Sequence, residues 1–415
     1  MDVRLLTLAV LLAGCPDPPE PCTPQPVTRG PWAVGWYMTE AEIRWETASD
    51  GCGGVRFGLV NSEQWLAQVA SQATQIERTL EVDSDPILAP DRPGPSYVHR
   101  LALRNLTPNT CYRFQVAQPV EQVEGRFCTA ASSTDADVTM AVLGNSAADD
   151  VVTTTLTQAI RAAEPHAILH LGNLQRYSDP NETWSAWFNR WRPLLNTAQI
   201  LPVVGESEFE RPAPQADDNA DTAREYAEYF APLWRGHSHP QLGDNYAIRV
   251  GALVYIFVDT LGQVAPSIWS DEGQAWLEQI LRDAEAAPGH GFSVLLMHQP
   301  AYTRSSRRQG LARREQLRTM LSGHKVPLVL AGQASCYERF EVDGRLFVNS
   351  GGAGAALEAC DQSHPDPSID GELTSLQADH RSVHHWIRLR QSAAGLVGAV
   401  VADHNEIIDQ WEIRP

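Results

Sequence analysis

Between residues 32 and 130 the chain alternates apolar and polar positions. "AEIRWET" (41–47) and "GVRFGLV" (54–60) have the period of two of half-buried strands. In "YVHRLALRNLTPNTCYRFQVA" (97–117), His99, Leu101, Leu103 and Leu106 lead into a Thr-Pro-Asn-Thr turn, after which Tyr112, Phe114 and Val116 alternate. "EGRFCTA" (124–130) reads as one further strand. After the small polar stretch 131–137 the pattern changes to apolar runs separated by helical periods. "DVTMAVLGN", "HAILHLGN", "QILPVVGE", "GALVYIFVDT", "GFSVLLMHQP" and "KVPLVLAGQ" read as buried strands. "TTTLTQAIRAAEP", "ETWSAWFNRWRPLL" and "DEGQAWLEQILRDAEAA" read as helices, the second with Trp184, Trp187 and Trp191 as a core stripe. The tail from His384 onward reads as antiparallel strands closing the sheet. Strands ending in glycine plus a polar residue are where an α/β sheet places its ligands.

Composition supports a large folded body. The chain has 415 residues, 43% hydrophobic, with 12 Trp. A net charge of −19, from 32 Lys plus Arg against 51 Asp plus Glu, argues against a nucleic-acid partner and favours solubility. The basic residues concentrate in "TRSSRRQGLARREQLR" (303–318), which makes Arg304, Arg307 and Arg308, with Arg176 and Arg339, candidates for holding a phosphate or carboxylate. A solvated helix face is the plainer reading of that run. No Gly-x-Ser-x-Gly elbow is present, so a serine hydrolase has no support.

The first residues, "MDVRLLTLAVLLAGC", hold an apolar run suited to a signal peptide and too short to span a bilayer. Leu12-Ala13-Gly14-Cys15 resembles a bacterial lipobox. The resemblance implies a signal peptide over 1–15, lipidation at Cys15, a Pro-rich tether over 16–31, and a lipoprotein whose membrane contact is the anchor alone, on the periplasmic face or the cell surface. An ordinary secretory signal is the alternative. Six further cysteines in an exported chain suggest disulfides, and fifteen pairings are open. Neighbourhood along the chain pairs Cys111 with Cys128, Cys336 with Cys360, and Cys22 with Cys52.

The Leu-x-Pro turn followed by a Tyr-led strand resembles the tyrosine corner of fibronectin type III sandwiches. The strand ends after residue 138 resemble, in order, those of the calcineurin-like metallophosphoesterases, and within them the purple acid phosphatases. "YFAPLWRG", "DNYAIRVGALVYIFVDT", "QAWLEQIL" and "SCYERF" look like that family's connecting segments. The resemblance implies an all-β fibronectin III-like sandwich over 32–130, a linker over 131–137, and a four-layer αββα metallophosphoesterase domain over 138–415.

The resemblance also implies two metal ions at the strand ends, activating a water against phosphorus. Carried over position by position, the ligands are changed. The first motif's Gly-Asp is Gly144-Asn145, and the bridging Asp of the second is Asn173, with Arg176 at the place of a Tyr ligand. The third motif's Asn and His are Glu206 and Ser207. His298 stands unchanged. The last motif's two His are Gln333 and Ser335, ahead of a family-like Tyr337-Glu338-Arg339. An amide is neutral and cannot bridge two dications as a carboxylate does. These positions imply a non-catalytic family member with no metal cofactor, serving as a binding or assembly protein for a protein or anionic ligand. The alternative is a phosphoric monoester hydrolase with a rebuilt site, in which His298, Glu206, Glu208, Asp149 and Asp150 hold one divalent or ferric ion. A pairing of Arg176 with Glu206 would relieve the charge left without metal.

Overall fold

The computed structural model describes residues 25–50, 53–70, 72–76, 95–117, 123–134, 136–146, 150–175, 184–208, 224–230, 245–262, 267–306 and 309–414. Cys15, Cys22, Cys52, Asp149, Arg176, His237, His239, Arg307 and Arg308 lie outside them, as does the expected Arg176–Glu206 pair.

Three sheets organise the chain. At the centre of the ten-stranded sheet, Val138–Leu143, Ala167–His170 and Gln199–Pro202 run parallel in register, Val142 opposite Leu169 and Leu169 opposite Leu201. The C-terminal strands His385–Ser392, Gly395–Ala402 and Ile407–Ile413 extend one edge antiparallel. The seven-stranded sheet has a parallel centre of Leu253–Phe257, Ser293–Met297, Leu328–Ala331 and Arg345–Ser350. A four-stranded sheet pairs Gly54–Leu59 with Cys111–Val116, and the latter with Val123–Cys128.

The central strands are continuous apolar runs because both of their faces are covered. Met140, Val142 and Leu169 share one core with Val294, Leu296 and Leu330 of the other large sheet. Their sequence neighbours point the opposite way. Ala141 and Ile168 pack with Leu156, Trp187, Trp191 and Tyr229 from the helices Asp150–Ala162, Trp184–Leu195 and Arg224–Phe230. Leu295 and Val329 pack with Trp276, Leu277 and Leu317 from Asp271–Ala286 and Arg314–Leu321. A separate core joins Ile43, Trp45, Leu101 and Leu103 to Val55, Phe57, Phe114 and Phe127 across the N-terminal sheets.

The N-terminal segment differs from expectation. Val27–Val34 is a strand, so five residues of the stretch read as tether (16–31) are folded. It inserts into the ten-stranded sheet, antiparallel to Glu40–Thr47 and parallel to Gln199–Pro202, with Val34 opposite Ile200. The reason is chemical: Arg29 is buried against Glu46, and Trp32 and Val34 enter the core that holds Phe188 and Tyr229. The strands Tyr337–Val342 and Gln377–Arg381 and the helix Pro367–Leu376 were not apparent in the pattern.

Disulfides join Cys111 to Cys128 and Cys336 to Cys360, as the neighbourhood reading had it. The first staples two directly opposed residues of adjacent strands. Two disulfides suit an oxidising, extracytosolic compartment. Among the described residues no helix is long and apolar enough to cross a membrane. Tyr112 Oη accepts a hydrogen bond from the Thr107 backbone N–H at 2.9 Å. Tyr112→Phe removes that acceptor and is expected to cost about 1 kcal/mol in urea denaturation. An unchanged midpoint would show that the corner contributes nothing.

Candidate functional site

The loops after Leu143, His170, Pro202, Met297 and Ala331 converge, and glycines permit the approach. A Cβ on Gly172, at φ +87°, would stand 2.5 Å from His298 Nδ1, and one on Gly332 would stand 2.3 Å from the Leu171 carbonyl oxygen. The loops therefore sit closer together than side chains would allow.

The expected ligand positions meet here and bond to one another. Asn145, in the left-handed region at φ 53°, donates through Nδ2 to the Gln333 carbonyl at 2.8 Å and to Ser335 Oγ at 3.0 Å. Asn173, also left-handed at φ 55°, accepts through Oδ1 from the Ser207 N–H at 2.9 Å. Gln333 Nε2 donates to Glu206 Oε1. His298 is fully buried, with Nδ1 at 2.7 Å from the Leu171 carbonyl oxygen. Asn145, Ser207, Gln333 and Ser335 are all buried. Four of the loops are thus laced directly by amide, hydroxyl and carboxylate groups.

In the alternative single-ion arrangement Glu208 would face the ion, but it is turned to backbone. Its carboxylate accepts backbone N–H bonds from Gly205 at 2.7 Å, Leu174 at 2.8 Å and Asn173 at 3.0 Å. Burial pushes its pKa up to about 7, although those donors pull the other way. The side chain organises loop backbone, and the single-ion set loses a carboxylate.

Behind the loops lies a cluster that the sequence reading did not single out. Ser146 Oγ donates to the Leu174 carbonyl at 2.9 Å, accepts from Trp187 Nε1 at 3.0 Å and meets His170 Nε2 at 2.8 Å. The one hydroxyl proton is already used, so His170 carries its proton on Nε2. Burial and the nearby His298 hold the His170 pKa down to about 3. A polar residue inside the apolar run "AILHL" was the available signal. The Trp stripe is core as expected, but the Trp187 and Trp191 indoles also bond Ser146.

The two described arginine candidates, Arg304 and Arg339, are engaged within the fold. Arg339 pairs with Asp409 at 2.8 Å and with Glu341, and Tyr337 Oη bonds the same Asp409 at 2.6 Å. Arg304 donates to Gln377 and to the Asp361 carbonyl. Arg314 pairs with Glu372, and Arg318 with Glu315 and Asp343. These described arginines of the 303–318 run are engaged within the fold, Arg314 and Arg318 by carboxylates, although the buried Nε of Arg304 and of Arg314 has no hydrogen-bond partner. Glu338 is buried, accepting from Thr303 Oγ1, the Arg304 N–H and Asn349 Nδ2. The Tyr-Glu-Arg triplet therefore holds neighbouring segments together.

No family model matches the chain. Over 322 residues it is 24% identical to a protein of Arabidopsis thaliana named "Probable purple acid phosphatase 20", covering 76% of this chain and 70% of that one. The structure of purple acid phosphatase PPD1 from yellow lupin (Lupinus luteus) seeds superposes with a TM-score of 0.71 at 14% identity, over 94% of this chain and 74% of that one. By sequence and fold this chain is purple acid phosphatase-like. The structure of PhoD superposes with a TM-score of 0.65 at 10% identity, over 94% of this chain and 92% of that one.

A purple acid phosphatase-like scaffold implies metal at these loops, so the donor set was tested for fit. Two dications need several anionic or imidazole ligands. The expected positions supply one imidazole, His298, and one carboxylate, Glu206, already bonded to Gln333. Among the described residues, the groups of three donor side chains within 4.8 Å are Cys111, Cys128, His166 and Cys336, Glu338, Cys360. Both contain a disulfide, whose sulfurs are not free thiolate ligands. The residues present do not fit a dinuclear centre.

Proposed function

We propose that this chain is a non-catalytic, purple acid phosphatase-like protein with a binding or assembly role. One observation carries the reading. The expected ligand positions hold one imidazole, His298, and one carboxylate, Glu206, which accepts from Gln333 Nε2; Asn145 and Gln333 leave only neutral amide oxygens, Oδ1 and Oε1, without a hydrogen-bond partner. Neutral amide oxygens cannot neutralise two adjacent dications as carboxylates do, so the set lacks the charge a dinuclear centre needs.

The remaining parts of the proposal fit that role. The N-terminal pair of sheets is read as a fibronectin III-like body over 32–130, the stretch 131–137 as a linker, and 138–415 as an αββα phosphoesterase frame. Lipidation at Cys15 would anchor the protein to a membrane with its body in the periplasm or outside the cell. The expected partner is a protein or an anionic ligand.

The test is metal content by mass spectrometry of the purified body after exposure to iron, zinc and manganese, alongside hydrolysis of an aryl phosphate. We expect well under one ion per chain and no turnover. Two ions per chain, or hydrolysis that chelation removes, would overturn the reading. One ion lost in His298→Ala would favour a mononuclear phosphatase.

A further inference from the structure

At the opposite, amino-terminal end of the seven-stranded sheet lies a cavity of about 400 Å³. Phe292 and His298 bracket the strand Ser293–Met297, so the cavity is about 20 Å from the loops described above, at about 3.3 Å per strand residue. Phe292, Val326 and Pro327 give it an apolar side. Lys325, Arg345 and Arg414 line it with His324 and one carboxylate, Asp343.

The charge arrangement separates this cavity from the rest of the chain. Arg345 Nη2 donates to the Leu321 carbonyl at 2.5 Å and the His324 carbonyl at 3.5 Å, both neutral acceptors, and its buried Nε has no hydrogen-bond partner. Lys325, the single lysine among 415 residues, engages through its backbone N–H with Glu285. Among the described residues neither cation has a carboxylate partner, whereas the other ionic groups here do. Arg414 pairs with Glu412, Asp343 with Arg318, and His324 meets Glu278 and Glu285 through its two ring nitrogens. Two uncompensated cations beside an apolar wall, in a protein of net charge −19, form a place suited to a small anion.

We propose that this cavity binds a small organic anion, through Arg345 and Lys325 to its phosphate or carboxylate and through Phe292, Val326 and Pro327 to an apolar group. The guanidinium fork suits either oxyanion, and the flexible ammonium adds a point charge. The proposal does not depend on whether the strand-end loops bind metal.

The single lysine makes the test direct. Reductive ¹³C-methylation keeps the positive charge and labels Lys325 and the chain's amino terminus, and Lys325→Arg identifies the lysine signal. Inorganic phosphate, phenyl phosphate, benzoate and, as control, sodium chloride are then titrated at constant ionic strength. We expect a saturable shift of the Lys325 signal with phenyl phosphate or benzoate, tighter than with phosphate alone. Saturation by both phosphates assigns phosphate as the anchor group, and saturation by benzoate alone assigns carboxylate. Arg345→Gln should weaken binding about tenfold, and Arg345→Lys should restore part of it. If Arg345→Gln fails to fold by circular dichroism, Arg345→Lys answers the same question by a weakened affinity, and an affinity unchanged in Arg345→Lys and in Lys325→Gln would overturn the proposal. Shifts equal to those of chloride, or unaltered binding in folded Arg345→Gln, would overturn the proposal.

Discussion

Glu208→Ala is expected to lower folding stability by about 3 kcal/mol or more. Its carboxylate takes the N–H groups of Gly205, Leu174 and Asn173, and truncation leaves them without an acceptor in a closed interior. A buried donor left unmatched costs about 1–3 kcal/mol. The pH dependence is the sharper signature. In the unfolded chain this carboxyl ionises near 4.5, and burial raises it to about 7 in the fold. Between those values the folded state keeps a proton that the unfolded state has released. The stabilising contribution is therefore complete below about pH 4.5 and fades as pH rises through 7. Glu208→Gln cannot ionise, so its deficit relative to the natural chain should be about 2 kcal/mol larger at pH 5 than at pH 8. The difference between two proteins is the quantity to measure, because other buried groups tilt the absolute curve. Burial depresses His170 to about 3 and His99 and His385 to about 4. Their contribution is present above pH 6.5 and is lost as pH falls toward those values. A deficit that does not change with pH would sink this account of Glu208.

Arg29→Ala should cost about 3–5 kcal/mol, the usual effect of stripping one partner from a buried ion pair. Arg29 Nη1 bonds both oxygens of Glu46, at 2.9 and 3.0 Å, and the Tyr229 hydroxyl at 2.8 Å. Tyr229 in turn donates to Glu46 at 2.8 Å, and Arg29 Nη2 reaches Ser185 Oγ at 2.6 Å. Both charged side chains are only 3% exposed. The truncation would leave Glu46 charged in the interior without its guanidinium, facing the hydroxyls of Tyr229 and Thr28. Removing both charges in Arg29→Met/Glu46→Leu should recover at least half the loss, because a packed apolar pair has no desolvation penalty. A single-variant loss under about 1 kcal/mol in urea denaturation would show that the pair is hydrated in solution.

Much of the frame was legible because its physics is local. Runs such as "VTMAVL" and "SVLLM" bury both faces, and their length and glycine ends mark them as central strands. The helix Asp271–Ala286 announces itself with Ser270 as N-cap, whose Oγ accepts the Gly273 N–H at 3.0 Å. The strand Tyr337–Val342 was harder to see, because its alternation breaks at Glu338, a buried carboxyl whose partners Thr303, Arg304, Asn349 and Gln377 lie on other segments of the chain. At the site, the sequence revealed which groups are absent and not what replaces them. That Asn145 would turn its amide to Gln333, or that Glu208 would turn to backbone, depends on loops meeting across as many as 190 residues.

The strand Val27–Val34 lies between a neighbour a few residues away and another, Gln199–Pro202, well over a hundred residues downstream. During synthesis the early portion of the chain therefore waits with one sheet edge open until the later strand emerges. A fragment ending near residue 137 would carry that edge, with its row of unpaired backbone groups, permanently exposed to self-association. A cut between the two strands would leave the facing edges of Val27–Val34 and Gln199–Pro202 open to other chains.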